Sequence, residues 1–227
     1  MAGNEPVEDP FDDRGAERDR MVDRHIVARG ITDATTIAAM RTVRRHGFVP
    51  AAMAFDAYAD RPLPIGHGAT ISQPYIVALM TEALRLRPQD RVLEVGTGSG
   101  YGAAVLAECA GHVTTIESVE ALATGARIRL TAFAPRVEVI VGDGSEGYEP
   151  SGPFDAISVT AAAPQIPPPL LAQLAPGGRL VMPVGRGAEE LVRIERTPDG
   201  DRRDVICAVR FVPLTGRHGT GEPSPAG

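Results

Sequence analysis

The run Val92-Leu93-Glu94-Val95-Gly96-Thr97-Gly98-Ser99-Gly100-Tyr101 constrains this chain more than any other ten residues. Its apolar, β-branched half reads as a buried strand. The three alternate glycines let the backbone reverse tightly and approach a ligand closely just before the periodicity turns helical. Such a junction belongs to a sheet, and beyond Pro88 short β-branched runs alternate with longer amphipathic ones, as in a parallel sheet with crossover helices. Strands are expected at Arg91–Val95, Val113–Glu117, Val137–Val141, Ala156–Thr160 and Arg179–Pro183, and helices at Tyr101–Ala110, Glu120–Thr131 and about Pro168–Leu174. After Gly185, the runs Glu190–Glu195 and Val205–Val212 flank Thr197-Pro198-Asp199-Gly200, a turn cluster expected to fold an antiparallel hairpin onto one side of the sheet. The chain therefore reads as α/β, with ligands bound along the carboxyl edge of the strands.

Ahead of the sheet, residues 1–17 are rich in Pro, Gly and acids and lack periodicity, so a disordered leader is expected, and residues 217–227 read as a flexible tail. Apolar residues recur at helical spacing over Met21–Ala28 and Asp33–Val43, with Thr32 or Asp33 available as a cap. Arg61-Pro62-Leu63-Pro64-Ile65-Gly66-His67-Gly68 precludes a regular helix and reads as a structured loop, leading through Ala69-Thr70-Ile71-Ser72 into a helix from Pro74 to Leu86. One domain over residues 18–216 follows, with a helical segment at 18–88 and the sheet-bearing core at 89–216.

With 43% hydrophobic residues in 227, the chain can bury one sizeable core. All 23 basic residues are Arg, which removes any phosphate-binding lysine or Schiff base. The net charge of −6 argues against a broad grip on nucleic acid or anionic lipid. Cys109 and Cys207 stand 98 positions apart, without a zinc-binding or disulfide pattern, which fits a reducing compartment. The acid-rich first twenty residues, with no apolar stretch, are unlike a signal peptide, and no run approaches the ~20 apolar residues a membrane span needs, so a cytoplasmic protein is expected, and a monomer suits its size. His25, His46, His67, His112 and His218 show no helical i, i+3 or i+4 pairing, so no metal site is expected and most of them read as surface residues. Ser99 lacks the glycine two residues before it that a hydrolase nucleophile elbow requires.

The residues nominate a ligand site at the strand ends. Gly96, Gly98 and Gly100 form Gly-x-Gly-x-Gly, and Tyr101 stands where a dinucleotide fingerprint wants its third glycine. Glu117, ending the next strand, can accept both hydroxyls of a ribose, or simply cap the helix that follows. Asp143, between Gly142 and Gly144, can face an adenine amino group, or be only a turn. Ala161 and Ala162 leave room for a substrate, or mark close packing. Ser72, just before Pro74, reads as a helix cap.

In order along the chain stand Arg29-Gly30-Ile31, Arg45-His46-Gly47-Phe48-Val49-Pro50, Pro62-Leu63-Pro64-Ile65-Gly66, Thr70-Ile71-Ser72-Gln73-Pro74-Tyr75, the glycine loop, Gly142-Asp143-Gly144, Pro176-Gly177-Gly178-Arg179-Leu180-Val181 and Phe211-Val212-Pro213-Leu214-Thr215. Through these segments the chain resembles the protein-L-isoaspartate O-methyltransferases over about residues 21–216, the Thr-Ile-Ser segment being the most family-specific. The resemblance implies a Rossmann-like class I methyltransferase fold: a mostly parallel seven-stranded sheet with helices on both faces, an N-terminal helical extension and a C-terminal antiparallel hairpin. It implies S-adenosyl-L-methionine as cofactor and isoaspartyl-containing proteins and peptides as partners, with repair initiated through a succinimide. It assigns the active site to Thr70 and Ser72, with Ile71, Ala161 and Ala162 beside the substrate. The cofactor falls to Glu94, Gly96, Thr97, Gly98, Gly100, Glu117, Asp143 and Gly144, with Thr215 helping to close the site. Two departures stand out: Ala69 where the family commonly has Gln, which bears on substrate choice, and Arg44 where it commonly has Pro. A relative methylating Asp in one dedicated peptide, a noncatalytic S-adenosylmethionine-binding module and a nicotinamide-binding oxidoreductase are the alternatives, the last disfavoured by the glycine spacing.

Overall fold

The computed structural model describes residues 13–220; the first twelve residues of the expected leader and residues 221–227 of the expected tail lie outside the described residues. The leader expected to reach residue 17 gives way earlier: α1 spans Gly15–Met21 and continues through a π turn, Val22–Ile26, and a 3-10 turn, Val27–Arg29. Its inward anchor is charged, which apolar spacing does not register. Arg18 is buried, donating to the Arg41 carbonyl and pairing with Asp13 at 2.9 Å.

Helix α2, Ala34–Thr42, starts where Asp33 Oδ2 accepts the Thr36 amide at 2.7 Å. Short 3-10 turns, Arg45–Phe48 and Ala51–Asp56, lead to strands β1, Leu63–Gly66, and β2, Ala69–Ile71. These pair antiparallel, Pro64 opposite Thr70, so the expected structured loop is a small hairpin. Helix α3, Pro74–Leu84, follows, and the expected Ser72 cap is corrected: Gln73 holds the N-cap position with no side-chain bond. Asp60 supplies one instead, its Oδ1 accepting the Tyr75 amide at 3.0 Å. Buried Arg45 donates Nε to the Ala57 carbonyl at 2.8 Å and stacks 4.8 Å above the Tyr101 ring. Phe48 packs on Tyr101 and Phe133. His46 is an exception to the reading of most histidines as surface residues: it is buried, with Nδ1 2.7 Å from the Tyr58 hydroxyl.

The core then runs β3, Arg91–Val95; α4, Tyr101–Cys109; β4, His112–Glu117; α5, Glu120–Phe133; β5, Val137–Val141; β6, Phe154–Val159; α6, Pro168–Ala172; β7, Leu174–Gly185; β8, Glu189–Thr197; and β9, Gly200–Val209. The seven strands lie in the order β5-β4-β3-β6-β7-β8-β9. The first five in that order are parallel, and β8 and β9 are antiparallel additions. Side chains alternate across the sheet: Val92, Val113 and Ala156 join one buried cluster with α3 and α4, while Leu93, Val95 and Ile157 join another with Leu170 of α6. Burial on both faces explains why these strands read as continuous apolar runs. The hairpin is longer than expected at its turn and shorter at its end. Residues 200–204 are polar, but Arg196–Asp201 at 3.2 Å, Arg193–Asp204 at 2.6 Å and Arg202–Glu195 pair across the strands, so the ladder forms without apolar alternation. Residues 210–213 leave the sheet and bridge Ala162 through Pro213.

Candidate active site

Strand order reverses at β3: β4 and β5 lie to one side of it and β6 to the other. The space beyond the carboxyl ends of β3 and β6 is therefore the binding crevice of such a sheet. The glycine loop closes it from the β3 side. Gly96 has φ +94°, and a Cβ there would stand 2.3 Å from Thr160 Oγ1, so only glycine fits. Thr160, the residue just after β6, places its hydroxyl 2.8 Å from the Gly96 carbonyl and 3.1 Å from that of Val95. One side chain thus fastens the loop across the switch point, a role no local pattern announces.

Glu117 closes the loop from the other side. Its Oε2 accepts the Gly98 amide at 2.8 Å and its Oε1 the Val119 amide at 3.0 Å. It therefore ties the turn that leads into α5, while the helix itself has Val119 at its N-cap position without a side-chain cap, so the reading of Glu117 as a helix cap does not hold. Each oxygen of an ionised carboxylate has a second acceptor site, so the two remain able to take two vicinal hydroxyls.

Glu94 was expected among the cofactor contacts, but its side chain lies beneath the loop, 1% exposed. Thr115 donates to Glu94 Oε2 at 2.7 Å, which commits the Thr115 proton and makes Thr97 the donor to Thr115, also at 2.7 Å. Thr97 is buried too, so Glu94 and Thr97 support the loop from below. Burial pushes the Glu94 carboxyl up to about 8, the Thr115 hydrogen bond opposing the shift and the nearby charge of Glu117 adding to it. Gly100, with φ +92°, is the N-cap of α4.

At the end of β5, Asp143 is a turn and an anchor. Its Oδ1 accepts the Ser145 amide at 2.9 Å and hydroxyl at 2.6 Å, and its Oδ2 accepts the Arg217 amide at 2.7 Å. These bonds, after the opposing effect of its own burial, hold its carboxyl below the usual range. Gly144 is buried, and a Cβ there would meet Val95 at 2.5 Å. The C-terminal segment is strapped across the strand ends: Leu214 donates to the Ala162 carbonyl at 2.7 Å, His218 donates to Ser145 Oγ at 3.0 Å, and Thr215 Oγ1 lies 3.4 Å from Ser118 Oγ. Residues 217–220, expected to be part of the tail, belong to this strap.

The β1–β2 hairpin meets the glycine loop through Ile65, whose Cδ1 would contact a Cβ at Gly98 at 3.3 Å. Thr70 on that hairpin is exposed and Ser72 half-buried. The Ile71 side chain, expected to line the substrate space, points into the core instead. Ala161 and Ala162 are both buried, and Ala162 walls a cavity beside the strap.

Sheet order, glycine cradle and carboxylate at the end of β4 define a class I methyltransferase. Residues 16–219 match the family described as protein-L-isoaspartate(D-aspartate) O-methyltransferase (PCMT), and the chain belongs to that family. It is 56% identical over 208 residues to the protein-L-isoaspartate O-methyltransferase of Methanoregula boonei, covering 91% of this chain and 96% of that one. It is 53% identical over 224 residues to protein-L-isoaspartate O-methyltransferase 1 of Rhodopseudomonas palustris strain HaA2, covering 97% and 91%. Among solved structures, the beta-aspartate methyltransferase (PCMT) from Plasmodium falciparum in complex with S-adenosyl-L-homocysteine matches with TM-score 0.75 and 26% identity, covering 87% of this chain and 98% of that one. No helix among the described residues is long and apolar enough to cross a membrane.

Proposed function

We propose that this chain methylates the free carboxylate of L-isoaspartyl residues in proteins and peptides, with S-adenosyl-L-methionine as methyl donor. Family membership sets the chemistry, and the observation that carries it to these residues is the loop closed on Glu117. The residues fit the donor: Gly96 leaves the room a side chain would fill, and Glu117 keeps acceptor sites for a ribose. When bound, the donor supplies an electrophilic methyl on a sulfonium. Thr160 and the Glu94–Thr115–Thr97 chain hold the loop in place, so the cradle is organised before binding. Gly96, Gly98, Gly100, Glu117, Asp143 and Gly144 form the cofactor wall, with Thr215 on the strap over it.

The accepting carboxylate, with an ordinary pKa of ~4, is ionised at neutral pH, so no general base is needed. The chain's task is to align it and to exclude water, since opposite charges neutralise each other as the methyl moves. Thr70 and Ser72 orient the carboxylate by hydrogen bonding, and Ala162 leaves space for the peptide beside it. The esterified isoaspartyl residue then closes to a succinimide by attack of the neighbouring backbone nitrogen, expelling methanol, and hydrolysis of that ring returns some normal aspartate. A monomer working in the cytoplasm fits this reading.

The test is transfer of labelled methyl to an isoaspartyl peptide and to its aspartyl twin. Label confined to the isoaspartyl peptide is the expected result. Label on the aspartyl twin alone, or on neither while S-adenosylhomocysteine binds, overturns the proposal.

A further inference from the structure

A cavity of about 340 Å³ opens between the end of β6, the β7–β8 turn and the C-terminal strap. Its inner wall is Ala162, two residues beyond the Thr160 that clamps the glycine loop, so it adjoins the binding crevice. Pro164, Phe211 and Pro213 make much of the remaining lining apolar. Two charged side chains complete it, and neither is used by the fold. Glu189 Oε2 is buried with no hydrogen-bond partner. Arg186, on the turn between Gly185 and Gly187, is exposed and has no hydrogen bond or ion pair among the described residues.

A buried carboxylate oxygen without a donor costs free energy, which the Glu189 side chain recovers by turning its carboxylate into the cavity toward a bound N–H. One acid and one guanidinium sum to zero, so an ion of either sign would meet a like charge there, whereas a neutral group with one donor and one acceptor satisfies both. The backbone peptide unit is such a group, and the cavity, at the small end of ligand sites, has room for one or two residues. We propose that this cavity binds the main chain of a residue flanking the isoaspartyl group, Glu189 accepting its amide N–H and Arg186 donating to its carbonyl. The proposal rests on isoaspartyl peptides being the substrate. It explains how the enzyme takes hold of damaged segments of unrelated sequence: the contact reads backbone rather than side chains.

The experiment uses one isoaspartyl hexapeptide and a set in which each flanking backbone amide is N-methylated in turn, assayed with the full chain and its Glu189→Ala and Arg186→Ala variants. With the unaltered protein, N-methylation at one flanking position should raise KM about tenfold, as loss of a hydrogen bond to a charged group implies, with kcat held. Glu189→Ala should raise KM for the unmodified peptide by a similar factor, lose the discrimination against that N-methyl peptide, and keep its affinity for S-adenosylhomocysteine. Arg186→Ala, on an exposed turn, should raise KM without altering the melting temperature. Equal KM for all N-methyl peptides, or an unchanged KM in both variants, overturns the subsite alone. No methylation of any isoaspartyl peptide by the unaltered protein overturns the activity and the subsite with it.

Discussion

Replacing Glu94 by Gln should stabilise the protein at neutral pH, although the residue is buried under the cofactor loop. The Glu94 carboxyl is raised from its ordinary 4.5 to about 8 in the fold. Below pH 4.5 it is protonated both folded and unfolded and contributes no pH dependence. Between pH 4.5 and 8 the unfolded chain gives up the proton and the folded one keeps it, so stability falls as pH rises, by about 1.4 kcal/mol per unit. Above 8 both states are ionised and the loss is constant. By pH 7 it has reached about 3 kcal/mol. Gln has no proton to lose, and its amide oxygen can still accept from Thr115. Urea denaturation of both proteins from pH 5 to 8 isolates this group, because the other titrations cancel in the difference. The advantage of Glu94→Gln should grow by about 2–3 kcal/mol between pH 5 and 7, with S-adenosylhomocysteine affinity retained, since Glu94 lies under the loop. A difference that stays flat with pH, or a variant less stable at pH 7, would refute the buried neutral carboxyl.

Ser72→Ala should lower kcat while calorimetry shows S-adenosylmethionine binding unchanged; weaker binding with full turnover at saturation would contradict its role toward the substrate. Gly96→Ala places a methyl 2.3 Å from Thr160 Oγ1 at a φ of +94°, and the left-handed backbone alone costs about 1–2 kcal/mol; a loss of about tenfold or more in cofactor affinity is expected by titration. Arg179→Met removes the guanidinium that pairs with Asp90 at 2.6 Å and donates to the Leu84 carbonyl at 2.7 Å. It leaves a buried carboxylate unpaired, a loss of about 3–5 kcal/mol that urea denaturation would measure. Asp143→Ala frees the Arg217 amide, so limited trypsin digestion should cut after Arg217 faster than in the unaltered protein.

By itself the sequence determined what depends on neighbours within one turn or one strand. Short apolar, β-branched runs placed β3 to β6 and their helices to within a few residues, while β7 starts well before its expected Arg179, at Leu174, and alternate glycines after an apolar run marked the cofactor loop. The position of Glu117 at the end of β4 marked the carboxylate facing that loop, and the pair Thr32 and Asp33 announced the start of α2, which the structure caps with Asp33. Tertiary structure decided the remainder, because the groups concerned are distant in sequence and carry no periodic signal. The α3 cap came from Asp60 instead of Ser72. Ile71 turned inward because β2 presents alternate residues to opposite sides, Thr70 outward and Ile71 to the core. The path from Glu94 through Thr115 to Thr97 exists only because β3 and β4 pair in parallel register. Arg18 and Arg45 are buried through contacts with carbonyls, acids and rings that a hydropathy pattern does not weigh. Glu189 and Arg186 gained a shared cavity only when the C-terminal strap crossed back to Ala162. Local pattern reports which surface of an element is buried; which polar groups meet is set by the packing of elements far apart in the chain.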